Sequence, residues 1–275
     1  MTSVAEALRA AAKQLEAVSD TARLDVELLM AAALKTTRSE VLLRHTANPA
    51  PESFAALVER RLTHEPVAYI LGRQEFYGRE FLVTRDVLIP RADSETTLEA
   101  ALRAKPAAPR VLDLGVGSGA LLLSYLAETL GSEGTGIDRS PEALAVAADN
   151  AERFGLAPRC DLRMADWTQA AWADGLGVFD LILANPPYVE VDAELDPSVR
   201  DYEPAVALFA GPEGLDDYRI LFPQLPFLLA PHGIVVIEIG AGQAQAIAAL
   251  AEAAGFRPVL HKDLAGRPRA FVLSI

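Results

Sequence analysis

A chain of 275 residues with 51% hydrophobic content is long enough for one large domain or two ordinary ones and too apolar to be disordered. Its 25 Lys and Arg against 38 Asp and Glu give a net charge of −13, which argues against holding nucleic acid by phosphate neutralisation. One cysteine, Cys160, excludes an intramolecular disulfide and a cysteine-based zinc site, and no apolar run reaches the roughly 18 residues of a membrane span, so a cytoplasmic protein with no metal and no membrane partner is expected.

The first 64 residues read as short helices. Ser3-Val4-Ala5-Glu6 is a capping box, and Val4, Leu8, Ala11, Leu15 and Val18 follow helical spacing. A second helix is expected over 21–34, with Leu24, Leu28 and Leu29 apolar. Ser39 can cap a short third helix, and Pro51 can open a fourth carrying Phe54, Leu57, Val58 and Leu62. The pattern then turns to strand type. Tyr69-Ile70-Leu71, Glu75-Phe76-Tyr77 and Phe81-Leu82-Val83, punctuated by Gly72 and Gly78, suggest a small hairpin. The division expected is therefore a helical region at 1–66, a β-hairpin linker at 67–87 and a large region at 88–275. Charge divides similarly: residues 1–80 hold 10 Lys/Arg against 11 Asp/Glu, and residues 81–275 hold 15 against 27.

In the large region Ile89-Pro90-Arg91 leads into a helix capped near Asp93 or Ser94 and ended by Lys105-Pro106. Strands follow at 110–114, 134–138, 159–164, 179–184, 233–238 and 269–274, with a weaker one at 258–262. Helices lie between them at 119–130, 141–154, 214–229 and 243–254. This alternation implies an α/β fold with a doubly wound, mostly parallel sheet.

Two strand ends carry chemistry. Val111-Leu112-Asp113-Leu114 runs into Gly115-Val116-Gly117-Ser118-Gly119, where glycines let a ligand approach the backbone. The next strand ends in Asp138, 23 residues after Gly115, where a carboxylate can accept from a ribose diol. Gly115, Gly117 and Ala120 satisfy a loose dinucleotide fingerprint. Gly115, Gly117 and Gly119 equally satisfy the tighter spacing of S-adenosylmethionine-dependent enzymes, and the glycines alone leave both open. Asp166-Trp167 follows the third strand, where Asp166 can accept from an adenine amino group and Trp167 can cover the ring. After the fourth strand comes Asn185-Pro186-Pro187-Tyr188. The Asn185 oxygen and the Pro186 carbonyl can accept both hydrogens of a planar NH2 group, and Tyr188 can stack on its plane. Arg91 and Glu238 are weaker candidates, and His45, His64, His232 and His261 show no metal spacing.

With these residues in place, the sequence resembles the HemK/PrmC family of protein-(glutamine-N5) methyltransferases. The likeness runs through Arg23-Leu24-Asp25, Tyr69-Ile70-Leu71-Gly72, Glu75-Phe76-Tyr77-Gly78, Ile89-Pro90-Arg91, Asp113-Leu114-Gly115 and Asn185-Pro186-Pro187-Tyr188. It continues in Glu203-Pro204, Gly214-Leu215, Tyr218-Arg219, Glu238-Ile239-Gly240, Gln243 and Arg269. Ala92, Val116 and Ser118 depart from the family's usual residues.

The resemblance implies a Rossmann-like class I methyltransferase domain behind a small helical domain that docks the substrate. It also implies methyl transfer from S-adenosyl-L-methionine, yielding S-adenosyl-L-homocysteine, to the glutamine of a Gly-Gly-Gln motif in class I peptide chain release factors. Asp113, Gly115, Val116, Gly117, Ser118, Gly119, Asp138, Asp166, Trp167 and Asn185 are then the cofactor residues. Asn185, Pro186, Pro187 and Tyr188 are the catalytic and substrate-binding residues, with Arg91 beside the substrate. A ribosomal-protein glutamine or a nucleic-acid amino group is the alternative acceptor. A nicotinamide oxidoreductase or a non-catalytic adaptor would leave Asn185-Pro186-Pro187-Tyr188 unexplained.

Overall fold

In the computed structural model, which describes residues 2–275, the Ser3 capping box starts helix α1 (Val4–Leu15), and Val4, Leu8, Ala11 and Leu15 are buried along its inner stripe. Helices α2 (Ala22–Leu34), α3 (Arg38–Glu40), α4 (Ser53–Leu62) and α5 (Val67–Leu71) follow, with a π-helical turn at Val41–His45. Together with Leu195–Tyr202, the chain up to Arg73 forms one compact unit. Its core joins Leu8, Leu15, Val26, Leu29, Met30, Phe54 and Val58. Beside that core, Asp25 is buried against Arg61 at 2.8 Å.

Three local expectations change here. Leu24 faces solvent at 40% exposure, because it lies off the stripe of Ala22, Val26 and Leu29. Thr37 caps α3, closing a box with Glu40, while Ser39 sits inside the turn. Tyr69-Ile70-Leu71, expected as strand type with the hairpin, lies in helix α5. The Pro66 carbonyl accepts from the Tyr69 and Ile70 N–H groups at 3.0 Å each, and Gly72 ends the helix at φ +70°. A five-residue apolar run cannot by itself choose between strand and buried helix.

The second unit comprises Gln74–Glu194 and Glu203–Ile275. A short hairpin, β1 (Arg73–Phe76) and β2 (Arg79–Leu82), turns at Tyr77-Gly78 and precedes α6 (Glu95–Ala104). The hairpin serves the larger core and is no free linker. Phe76 and Phe81 are buried against Leu98 and Leu122, and Asn150 pairs with the Leu82 backbone at 2.7 and 3.0 Å.

Then come β3 (Arg110–Leu114), α7 (Ala120–Glu128), β4 (Glu133–Asp138), α8 (Pro141–Arg153), β5 (Cys160–Met164) and β6 (Phe179–Ala184). They are followed in the chain by α9 (Pro197–Arg200), which belongs to the first unit, and then by α10 (Asp216–Leu221), β7 (Leu229–Glu238), α11 (Ala244–Ala253), β8 (Arg257–Lys262) and β9 (Pro268–Ser274). The helix expected over 214–229 stops at Leu221. Pro223 and Pro226 break it, leaving a single 3-10 turn at Leu225–Leu228.

Seven strands form one sheet in the order β5-β4-β3-β6-β7-β9-β8. The strands pair in parallel from β5 to β7, and β9 runs antiparallel to both β7 and β8. The central strands are apolar throughout because both faces are covered. Leu112, Ile182, Val235 and Ile237 enter one core, and Val111, Leu181, Leu183, Ile234 and Val236 enter the other. The chain moves outward from β3 to β5 and then returns to β6 on the other side of β3. That reversal leaves a crevice beyond the carboxyl ends of β3 and β6.

Candidate active site at the carboxyl ends of β3, β4 and β6

A cavity of about 430 Å³ occupies that crevice. Its walls include Asp113, Gly115, Val116, Gly117 and Ser118 from β3 and its loop, Asp138 from β4, and Asn185 and Pro187 after β6. Residues 86–91 and 204–209 close it on other sides, with Trp167 and Asp217. The two loops flagged in the sequence thus open into one space.

The loop after β3 is shaped by backbone geometry. Gly115 N–H and Val116 N–H both donate to Ile137 O at 2.9 Å, which turns the chain over the end of β4. Gly115 has φ +76°, and a Cβ there would stand 3.2 Å from the Trp167 ring. Gly119 has a different duty. It adopts φ +84° as the cap of α7, and a Cβ on it would stand 2.7 Å from Leu123, so it serves the turn and helix packing and stays outside the cavity lining.

Two carboxylates face this loop. Asp138 accepts from Gly117 N–H and Ser140 N–H at 3.0 Å each, one per oxygen, which leaves lone pairs on both oxygens at the cavity wall. Asp113 is buried, and one oxygen accepts from Leu122 N–H at 3.2 Å while Oδ1 has no protein partner. Burial pushes its carboxyl up to about 7. An unpartnered buried acceptor on a cavity wall suits a ligand that brings a donor or a positive charge.

On the loop after β5, Trp167 lines the cavity and its indole N–H donates to Asp217 Oδ1 at 2.7 Å. Asp166 is placed differently from the expectation. Its Oδ1 accepts from Thr168 N–H at 3.0 Å and from the Thr168 hydroxyl at 2.7 Å, and it is not among the lining residues.

The loop after β6 brings half-buried Asn185 and buried Pro187 to the wall, while buried Pro186 and half-buried Tyr188 are not among the lining residues. Tyr188 packs on the core, and burial pushes its hydroxyl up to about 12. Arg91 also lines the cavity. It donates to the buried carboxylate of Glu203, which also accepts from Ile89 N–H at 3.3 Å, so the pair ties the segment at 86–91 to the one that enters the wall at Pro204.

Glu238 is buried behind the cavity-lining Ser94, with Thr97 donating to it at 3.2 Å, and burial pushes its carboxyl up to about 7. This fits a structural hydrogen-bonding role. Asp217 and the wall at 204–209 were missed in the sequence. The cue for Asp217 was its place at the start of a helix, beside Tyr218-Arg219. Among the described residues no helix is long and apolar enough to cross a membrane.

Comparison with known proteins agrees with this architecture. Residues 6–72 match the family described as PrmC N-terminal domain, and residues 106–207 match the one described as Methyltransferase domain. A release factor glutamine methyltransferase of Cereibacter sphaeroides is 44% identical, covering 96% of both chains. Another, of Rhodospirillum rubrum, is 42% identical and covers 91% of this chain and 78% of that protein. Among solved structures, a ribosomal protein L11 methylase of Lactobacillus delbrueckii subsp. bulgaricus superposes with a TM-score of 0.50 at 20% identity, over 73% of this chain and 89% of that one. This similarity concerns the fold alone.

Proposed function

The chain belongs to the release factor glutamine methyltransferase family, and on that premise we propose that it methylates the side-chain amide nitrogen (N5) of the glutamine in the Gly-Gly-Gln motif of class I peptide chain release factors. The observation that carries the reading is the shared cavity. Asn185, at the end of β6, opens into the same space as Gly117 and Asp138, so a planar amide and a nucleoside-bearing cofactor can meet there.

The residues present fit S-adenosylmethionine. The Asp138 oxygens can take a ribose diol, Trp167 can cover an adenine ring, and the unpartnered Asp113 oxygen can face a cationic amino group. When bound, the cofactor supplies an electrophilic methyl on sulfur and leaves as S-adenosylhomocysteine.

The chain's own work is positional. Asn185 Oδ1 accepts one amide hydrogen of the glutamine and the Pro186 carbonyl accepts the other. Polarising both N–H bonds raises electron density on a nitrogen that is otherwise a poor nucleophile. The Tyr188 ring supports the amide plane. No side chain need remove the proton first, since it can leave the nitrogen for water once the N–C bond has formed. The helical unit, which carries the PrmC N-terminal match, docks the release factor.

The test is incubation with labelled S-adenosylmethionine and, separately, a purified class I release factor, ribosomal protein and DNA, followed by peptide mapping. Label on the Gly-Gly-Gln glutamine is expected. Label confined to ribosomal protein or to DNA overturns the assignment.

A further inference from the structure

We infer that Gln243 is a positioning residue for the loop at 185–188, a role that rests on the reading of that loop given above. The loop leaves β6 through Pro186 and Pro187, which have no N–H to donate, so its backbone cannot anchor itself there. It is next held at Val189, whose N–H donates to Leu208 O at 2.8 Å and whose carbonyl accepts from Ala210 N–H at 2.9 Å. Between these points Gln243 Nε2 donates to Tyr188 O at 3.0 Å.

The same nitrogen reaches Glu213 O at 3.2 Å and Gly214 O at 3.1 Å, so two hydrogens serve three carbonyl oxygens. Gln243 Oε1 accepts from Gly240 N–H at 3.2 Å. A flipped amide would set its oxygen against three carbonyls, so the orientation is fixed by chemistry.

Close packing around the clamp agrees. A Cβ on Gly214 would stand 2.2 Å from Tyr188 O and 2.6 Å from Gln243 Nε2, and one on Gly240 would stand 2.5 Å from Gln243 Oε1. Gln243 is itself anchored at the start of α11, where its carbonyl accepts from Ile247 N–H at 3.0 Å. It lies outside the cavity lining and so acts through the loop. A displacement of about 1 Å at Asn185 is enough to cost on the order of 10²-fold in rate.

The experiment compares the full-length wild type with Gln243→Leu and Gln243→Glu. Single-turnover methyl transfer to a release factor is measured at saturating S-adenosylmethionine over pH about 4.5 to about 9, a span that reaches down to the ordinary glutamate range. Calorimetry with S-adenosylhomocysteine and hydrogen exchange at Val189 and Ala210 accompany it. Gln243→Leu should transfer about 10–100-fold more slowly, bind S-adenosylhomocysteine within about threefold of wild type, and exchange both amides faster.

Gln243→Glu is the sharper variant. Its protonated acid can still donate to Tyr188 O, whereas its carboxylate cannot. It should therefore be most active at low pH and gain a falling limb that the wild type lacks. A merely structural residue would not create that limb, and recovery at low pH shows that the variant is folded.

A wild-type transfer rate in Gln243→Leu, a parallel loss of cofactor-product affinity, or a wild-type pH profile in Gln243→Glu overturns the proposal. If the wild type leaves release factors unmethylated while both amides still loosen in Gln243→Leu, the substrate reading fails and the clamp stands. If the amides do not loosen, the clamp fails.

Discussion

The loops after β3 and β6 leave adjacent strands at the same edge of the sheet, yet their backbones are built in opposite ways. The first has three glycines at positive φ and places Gly117 N–H on the Asp138 carboxylate. The second has two prolines, presents carbonyls, and takes its restraint from a side chain on another element. On the proposed reading, the first wall sets the Asp113 and Asp138 carboxylates toward a cationic, polar cofactor, and the second, the acceptor wall, sets only neutral carbonyl oxygens toward an NH2 group. Both walls accept hydrogen bonds, and the difference in their charge is what would let one cavity take two unlike molecules.

The largest effect should come from the acceptor wall. Asn185→Ala should slow single-turnover methyl transfer by about 10²–10⁴-fold while leaving S-adenosylhomocysteine affinity within about threefold. A near-normal rate would reduce the loop to a strand-ending turn and dissolve the contrast. Asp138→Ala should do the reverse. Affinity by calorimetry should weaken by about 1–3 kcal/mol, or about 5–150-fold, while the rate at saturation stays within about tenfold. If Asp138→Ala slowed transfer at saturation as much as Asn185→Ala, the walls would not divide the labour.

A pH experiment sharpens the contrast further, since the two loops titrate in different ranges. Asp113 ionises near 3.8 in the unfolded chain but only near about 7 in the folded one, so folding holds a proton between those values. Its contribution to stability is fully present below pH about 4, declines as pH rises, and is gone above about 7. Glu238 acts with the same sign, rising from 4.5 to about 7. Thermal melting against pH should therefore show a shallower decline over that window for Asp113→Asn than for wild type, and equal slopes would refute the burial argument. The acceptor loop titrates only through Tyr188, near about 12. The smallest effect should be Tyr188→Phe, within about threefold of the wild-type rate, because stacking needs the ring and not the hydroxyl, whereas Tyr188→Ala should cost at least about tenfold. A large loss in the phenylalanine variant would give the hydroxyl a role that stacking does not explain.

Deleting the helical unit also needs a different cut from the one the sequence suggests. The hairpin lies after the expected boundary at 66, but Phe76 and Phe81 are buried in the larger core. A chain starting at 88 would lose both rings from the larger core, so a loss of activity in it would not isolate docking. Phe81→Ala alone should cost about 3–5 kcal/mol in chemical denaturation.

The sequence by itself determined whatever is local and periodic. Strand–helix alternation set the sheet, because apolar strands covered on both faces and amphipathic helices have different periods. The Ser3-Glu6 box set the first helix, and the glycines, Asp138 and Asn185-Pro186-Pro187-Tyr188 marked the strand ends where a doubly wound sheet puts its ligands. Where local signals tied, as at 67–71, packing and the flanking Pro66 and Gly72 chose the helix. Only the tertiary structure decided the rest. It joined Arg91 to Glu203 across 112 positions, Trp167 to Asp217 across 50 and Tyr188 to Gln243 across 55, and it returned Leu195–Tyr202 to the helical unit. Such pairs have no period and no fixed spacing. They exist because the fold brings distant, partly or wholly buried polar groups within reach of one another, and pairing offsets the water they lose there.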